Sequence, residues 1–365
     1  MIQSIKALFP RRTTHGAHLL SLFVSVSLAL LLGALIMLAT GYKPTDGYAA
    51  LIKGALGSAR GIGNTLARAV TLSMTGIAMA IAAQAGIFNV GGEGQLYLGG
   101  MASALVGAWL FGFSPYLVLP IAFLAAIAAG GLYALFPGWL KVRLGISEVI
   151  TTIMLNSVAI YFCSYLANGP LRTADKGIAA GTPAIDPAFM LPRLIPLSSL
   201  TTGIFYAAGF AFLCWYVMKR SVAGYEMKLT GQNERFARYV GMKTGKLALL
   251  AMTASGALCG VVGLFEVYSL HKRFIPSLSN GFYFDGMLVA MIMRYDPVGI
   301  VLMSLFFAAL RIGGMAMELN VGISSELILI IQSIIIFFMA AQGGVSNLIR
   351  QARARRGAGR SVADH

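Results

Sequence analysis

Charge is what this sequence has least of. Lys, Arg, Asp and Glu make up 11% of its 365 residues, against about a quarter in an average soluble domain. A chain this long has room for a large core, but so few charged groups could not cover the surface of a water-soluble protein. An apolar share of 58% and a mean hydropathy of +0.78 point to lipid as the main solvent. Acidic residues are the scarcer sign, 13 against 28 Lys and Arg, for a formal charge of +15. A basic excess often marks nucleic-acid binding. Here the bases lie between apolar runs rather than in a stripe or an aromatic-studded sheet, so no nucleic-acid partner is expected. Cysteine is rare, and Cys163, Cys214 and Cys259 sit in apolar stretches without metal-ligand spacing, which reads as packing.

What the chain does have is long apolar runs. A helix needs about 20 mostly apolar residues to cross a bilayer. Ten candidate spans meet or approach that length, at 17–41, 62–85, 93–113, 116–140, 147–168, 198–218, 247–269, 282–293, 297–314 and 323–342. The first follows Lys6, Arg11 and Arg12 like a signal peptide, but its apolar run is long and has no small-x-small cleavage site before Gly41, so it reads as a retained span. The eighth is short, opened by Gly281 and closed by Arg294 and Pro297, as a broken helix would be. With both termini inside, 18 basic residues fall on the cytoplasmic face and 8 outside, while Arg68 and Arg311 fall within spans. That bias favours cytoplasmic termini. The expected organisation is a cytoplasmic segment 1–16, a membrane domain 17–342 and a basic cytoplasmic tail 343–365. An outer loop at 169–197 carries five prolines, and an inner loop at 219–246 carries seven bases.

Enzyme motifs are missing. The nearest approach to a phosphate loop, Gly241 to Leu247, has one residue too few between its glycines and Leu247 where Ser or Thr must hold magnesium. His15 and His18 have no carboxylate or cysteine beside them. No catalytic residue, metal ligand or bound cofactor is therefore expected in this chain.

The segment Gln84–Gln95, QAGIFNVGGEGQ, interrupts two apolar runs with four glycines, Asn89, Glu93 and Gln95. Irregular backbone at membrane depth persists only when protein shields it or it lines a polar cavity. The segment is either a tight turn with capping glycines or a broken helix on a solute pathway. A similar pattern recurs at Ser279–Ala290, around Gly281, Phe282, Phe284 and Asp285. The two lie five spans apart, an odd shift, so two such halves (spans 2–5 and 7–10) would form an inverted repeat, as in many transporters. Ionisable residues within spans are Arg68, Glu93, Glu148, Glu266, Asp285, Arg311 and Glu326, each costly in hydrocarbon and so a functional candidate. Glu148 and Glu326, near span starts, have the alternative role of helix N-terminal charges. The candidate pathway set is Asn89, Glu93, Gln95, Asn156, Glu266, Phe282, Phe284 and Asp285.

In the inner loop, Gly231, Gln232, Asn233, Glu234, Arg235, Phe236, Ala237, Arg238, Tyr239, Val240 and Gly241 follow one another. Phe236, Tyr239 and Val240 share one face at helical spacing. This is either a solvated amphipathic helix or one that docks in a partner's groove, with Phe236 or Tyr239 as anchor and Gly241 as its end.

Together these segments resemble the permease subunits of ATP-binding-cassette importers, in the group of branched-chain amino-acid, ribose-type sugar and nucleoside permeases. AGIFNVGGEGQLYLGG from Ala85, SEVITTIMLNSVAIY from Ser147, GQNERFARYVGM from Gly231, SGALCGVVGLFEV from Ser255 and GFYFDGMLVAMIMRYDPVG from Gly281 carry the resemblance, which spans about residues 17–342. It is most specific to the nucleoside branch that works with basic-membrane-protein-type lipoproteins. Phe236 departs from the family's usual small residue, and Met293-Arg294 from a common Leu-Gly. The resemblance implies an all-α, polytopic, type II-like importer permease of the bacterial inner membrane. It implies a second permease subunit, a paralogue or another copy, and a separate ATPase that uses ATP and magnesium and docks on Gly231–Gly241. It also implies an extracytoplasmic solute-binding lipoprotein. Ribose-type sugars or other small solutes are the alternative cargo. From another class, an ion-coupled transporter would need no docking loop.

Overall fold

The structure is a computed structural model that describes residues 15–173, 180–324, 326–335 and 337, with side chains from residue 26. The expected termini 1–14 and 338–365, with the end of the tenth span, lie outside the described residues, as do 174–179 and the side chains of His15 and His18. All regular structure among the described residues is helical apart from one isolated bridge, Arg193–Thr201. The chain divides into two compact units, Met1–Gly54 with Gly313–His365, and Ala55–Ile312.

The larger unit holds α3 (Ala59–Gln84), α4 (Gly92–Trp109), α5 (Pro115–Leu144), α6 (Glu148–Asn168), α7 (Gly203–Arg220), α8 (Val222–Gln232), α9 (Glu234–Tyr239), α10 (Thr244–Phe265), α11 (Phe282–Ile292) and the first part of α12 (Pro297–Val321). Its centre is α10. Gly256 and Gly260 let this helix pack backbone to backbone on α5: a Cβ at Gly260 would overlap the Ala126 carbonyl, and one at Gly256 the Ala134 side chain. Where lipid is as apolar as leucine, such close approach is what holds helices together. α3 and α10 are mostly buried, whereas α5 and α6 turn Leu132 and Tyr161, 65% and 74% exposed, outward. α10 continues as a π-helical turn, Glu266–His271, a distortion frequent at functional sites.

The smaller unit holds α1 (His15–Ala39), most of α2 (Pro44–Leu56), the end of α12 and α13 (Glu326–Ile335). Tyr42 Oη donates to the Gly322 carbonyl at 3.1 Å, and Gly54 lies against Ala316 too closely for a side chain.

Five described helices are long and apolar enough to cross a membrane: α3, α5, α6, α10 with its π turn, and α12. Five of the ten expected spans are thus identified. Of the others, α11 is short, α4 and α7 are interrupted by polar groups, and α1 and α13 enter only by the parts whose side chains are described, Val26–Ala39 and Glu326–Ile335. The 18 residues of α4 open with Glu93 and Gln95, and those of α7 end with Lys219 and Arg220. The inner-loop helix is also corrected. Gly231 and Gln232 end α8, and α9 begins only after Asn233, whose extended backbone breaks the helix and whose side chain accepts from the Phe236 amide at 3.0 Å. Asn233 competes with the helical backbone better than the uniform polarity of this loop suggests.

Candidate functional site

α3 ends at Gln84, and the chain runs without helix from Ala85 to Gly91, where Gly86 takes φ +78°, a conformation favouring glycine. Most of this stretch is buried, so its polar groups need partners inside the protein. Asn89, 0% exposed, meets that need at its centre. Its Nδ2 donates to Gln95 Oε1 and Ser255 Oγ, both at 2.9 Å, while its Oδ1 accepts from Gln95 Nε2 and the Gly91 amide, both at 3.0 Å. Asn156 on α6 joins the same break to α4: its Oδ1 accepts from the Gly94 amide and its Nδ2 donates to the Val90 carbonyl, each at 2.8 Å.

The first turn of α11 meets this break. Gly281, at φ +82°, precedes the helix and has no side chain with which to cap it. Ser279 Oγ accepts from the Phe282 amide at 3.1 Å, and the rest of the cap comes from α4. Glu93 Oε1 accepts from the Gly281 amide at 3.1 Å and Oε2 from the Tyr283 amide at 3.0 Å. A carboxylate at a helix N-terminus satisfies otherwise unpaired amides and sits favourably in the helix dipole. Tyr283 Oη in turn donates to the Asn89 carbonyl. The two glycine-rich segments singled out in the sequence are therefore bonded to each other. Asn89, Glu93, Gln95 and Asn156 are brought together, with their hydrogen-bonding groups engaged in this bracing network.

A second group lies beside it. The Arg68 guanidinium stands over the Phe282 ring, Cζ 3.9 Å from the centroid, within cation–π range. Glu266, buried at the start of the π turn, accepts from Thr71 Oγ1 at 2.8 Å. Arg68 is in electrostatic range of Glu266, Arg311 and Asp285. Phe284 is partly exposed and meets Tyr283 edge-on. Of the expected pathway residues, Glu266, Phe282 and Asp285 belong here. Arg68, Arg311 and Thr71 complete the group, although spacing alone did not put them in the pathway set. The signal for the two arginines was their presence inside apolar runs; Thr71 has no sequence signal. Glu148 instead pairs with Lys141 at 2.9 Å, and Glu326 is exposed.

The inner loop presents a third surface. Ala237 is buried, whereas Tyr239 is 90% exposed with Phe236 and Val240 each about half exposed. Glu234 and Arg238 pair along α9, and Gly241 ends the segment at φ +87°. Gly231, at the end of α8, lies directly on the break after α3: a Cβ there would overlap the Gln84 carbonyl. Gln84 Nε2 also donates to the Met218 and Gly224 carbonyls at 3.3 Å. Lys219 pairs with Asp296 at 2.6 Å. Burial pulls the Asp296 carboxyl up, but the Lys219 ammonium and the Gly299 amide outweigh it and hold the group below the usual carboxylate range. Among the described residues, no cluster of His, Cys, Asp and Glu could hold a metal ion.

Comparison with known proteins gives this architecture relatives. The guanosine ABC transporter permease protein NupP of Bacillus subtilis is 35% identical over 89% of this chain and 94% of its own length. The glucose ABC transporter permease protein TsgB13 of Haloferax volcanii is 31% identical over 90% of this chain and 89% of its own. The nucleoside ABC transporter permease protein NupB of Lactococcus lactis is 31% identical over 91% and 93%. Residues 61–340 match the family described as "Branched-chain amino acid transport system / permease component". The chain belongs to that family and is a permease subunit of an ATP-binding-cassette importer.

Proposed function

We propose that this chain forms the membrane pathway for a nucleoside in an importer driven by a separate ATPase. The observation that carries the reading is the α8–α9 surface. Phe236, Tyr239 and Val240 are exposed beside Gly231, which packs backbone to backbone on the Gln84–Gly86 break. A partner that moves α9 pushes on the one irregular segment of the α3–α4 connection. Through Asn89, Tyr283 and Glu93 that segment is bonded to the start of α11. The ATPase docks at Gly231–Gly241 with Phe236 and Tyr239 as anchors. The pathway passes Glu266, Phe282, Phe284 and Asp285, and Asn89, Glu93, Gln95 and Asn156 hold its helices in register.

The same reading includes ten spans, both termini in the cytoplasm of a bacterial inner membrane, a second permease subunit and a solute-binding lipoprotein outside. The encounter of two glycine-led helix starts, α4 and α11, supports an inverted repeat. Nucleoside cargo is favoured by the relatives named for guanosine and nucleosides. The glucose permease supports a sugar as the second reading. These cargoes share one chemistry, an uncharged molecule with adjacent hydroxyl groups.

Uptake of tritiated guanosine into proteoliposomes tests the reading, with this chain, its partner permease, its ATPase and its binding protein reconstituted. ATP-dependent accumulation, competed by nucleosides and not by glucose, is expected. Competition by glucose alone replaces the nucleoside with the sugar, and uptake that follows an ion gradient without ATP overturns the importer.

A further inference from the structure

From Gly94 to Leu140 the sequence has no Asp, Glu, Lys, Arg or His, although it includes the exposed turn at 111–114 between α4 and α5. The connections at 169–202, 272–281 and 293–296 carry charges such as Arg172, Lys272 and Asp296. In place of charge this turn gathers aromatic rings. Trp109 ends α4, Phe111 and Phe113 lie in the turn, and Tyr116 opens α5; all four are more than half exposed, Tyr116 at 92%. Such an apolar patch marks a contact with lipid or with another protein. The tip is also held in shape. Gly112, at φ +82°, donates its amide to Asp186 Oδ2 at 3.2 Å, while Asp186 Oδ1 accepts from the Ala188 amide at 2.9 Å. Both oxygens of the carboxylate that meets the tip are thereby engaged with backbone.

The length of α5 decides between the two contacts. Trp139, also exposed, precedes Lys141 and Arg143 at the far end of this helix. At about 1.5 Å per residue, Tyr116 and Trp139 stand about 35 Å apart along the axis, just over a hydrocarbon core of about 30 Å. The two ends of α5 therefore carry aromatic rings at the spacing of the two lipid–water interfaces. Trp and Tyr collect there because the ring rests on acyl chain while its N–H or O–H stays hydrated. A protein partner is met through a polar rim and complementary charge, and the turn has no charge to offer. We propose that the α4–α5 tip is a lipid anchor, with Trp109, Phe111, Phe113 and Tyr116 seated in the headgroup boundary of the leaflet opposite Lys141 and Arg143. With Trp139 they fix the depth of α5. α4 shares the tip, so the helix whose Glu93 caps α11 is held in lipid at its other end. This anchoring is independent of the cargo and holds for any solute.

Depth is read in the assembled importer, permeases and ATPase together, in liposomes. Tryptophan emission of the wild type is compared with that of Trp109→Phe in phospholipids brominated close to the headgroup or near the chain ends. The emission that Trp109→Phe removes is expected to be quenched several-fold more by the shallow bromines than by the deep ones. Quenching of that emission by aqueous iodide but by neither lipid overturns the anchor, as does stronger quenching by the chain-end bromines. Spin labels at Phe111→Cys and Phe113→Cys, each leaving the other three rings in place, give a second reading, with the unsubstituted complex as the blank for the native cysteines. Collision with oxygen relative to a water-soluble nickel chelate is expected to exceed several-fold that of a label at Arg193→Cys, an exposed position of the connection after α6. A ratio no higher than at Arg193→Cys overturns the anchor. So does a tip that is wet alone and loses collisions with both probes when the solute-binding protein is added, which makes it a protein dock. Should the cysteine variants fail to assemble, Trp109→Phe, which keeps an aromatic ring, carries the test.

Discussion

Glu93 is the sharpest place to test how the two broken segments are held. A residue whose work is to line the pathway and a residue whose work is to cap α11 respond differently to the same change. Its carboxylate accepts two backbone amides, those of Gly281 and Tyr283, at 3.1 and 3.0 Å, and the side chain is 3% exposed. Hydrogen bonds to a charged group contribute about 1.5–3 kcal/mol each, and a buried amide left without an acceptor costs about 1–3 kcal/mol. Glu93→Gln keeps one carbonyl oxygen but turns an NH₂ toward the second amide, so about 1.5–3 kcal/mol of stability is lost. Glu93→Ala removes both acceptors and loses more, on the order of 3 kcal/mol or above. The assay is unfolding of the purified protein in mixed micelles titrated with SDS, beside uptake measured at a temperature where the wild type is fully folded. Graded destabilisation, Ala more than Gln, is expected. A Glu93→Gln protein as stable as wild type but with altered solute preference would refute the capping argument and return Glu93 to the pathway.

Three further outcomes follow from the inner surface. Tyr239→Ala and Phe236→Ala should each weaken association with the ATPase by about 5- to 30-fold, the range of a 1–2 kcal/mol anchor, while unfolding stays as in wild type because both side chains are exposed; pull-down titration reads this. Gly231→Val places atoms where the Gln84 carbonyl lies, so the ATPase should still bind while ATP-driven uptake falls at least tenfold; uptake unchanged would show that this contact transmits nothing. Asp296, held below its ordinary range by Lys219 and the Gly299 amide despite the pull of burial, contributes stability that is present above its unfolded pKa of about 3.9 and lost as pH falls through its lower folded value. Both partners are more than a third exposed, so the pair contributes less than about 1 kcal/mol, and Lys219→Ala should reduce the acid resistance of unfolding by no more than that.

The helices were legible in the sequence because lipid enforces one rule along their whole length. Expected boundaries at 62–85, 116–140 and 147–168 correspond to α3, α5 and α6 within a few residues, since an apolar run ends where charge, Gly or Pro begins. The count of crossings was less legible. A polar group satisfied inside the protein and one facing water look alike in a sequence, and Glu93 and Gln95 make α4 read as interrupted although both are buried and bonded. The same ambiguity governs the site. Composition marked Gln84–Gln95 and Ser279–Ala290 as anomalous, but whether their polar side chains face a solute or each other depends on contacts up to 194 residues apart in sequence. Glu93 carries no local sign that its partners are the amides of Gly281 and Tyr283, because its acceptors are spent on backbone, which any sequence could supply. A charged group whose partner is another side chain is different. Arg68, Glu266, Asp285 and Arg311 stand out in the sequence as charges inside apolar runs, and the structure adds that Arg68 meets the Phe282 ring and Glu266 the Thr71 hydroxyl. Charge inside an apolar run therefore marks a residue that needs a partner, and the choice between brace and pathway needs the geometry of the amides around it.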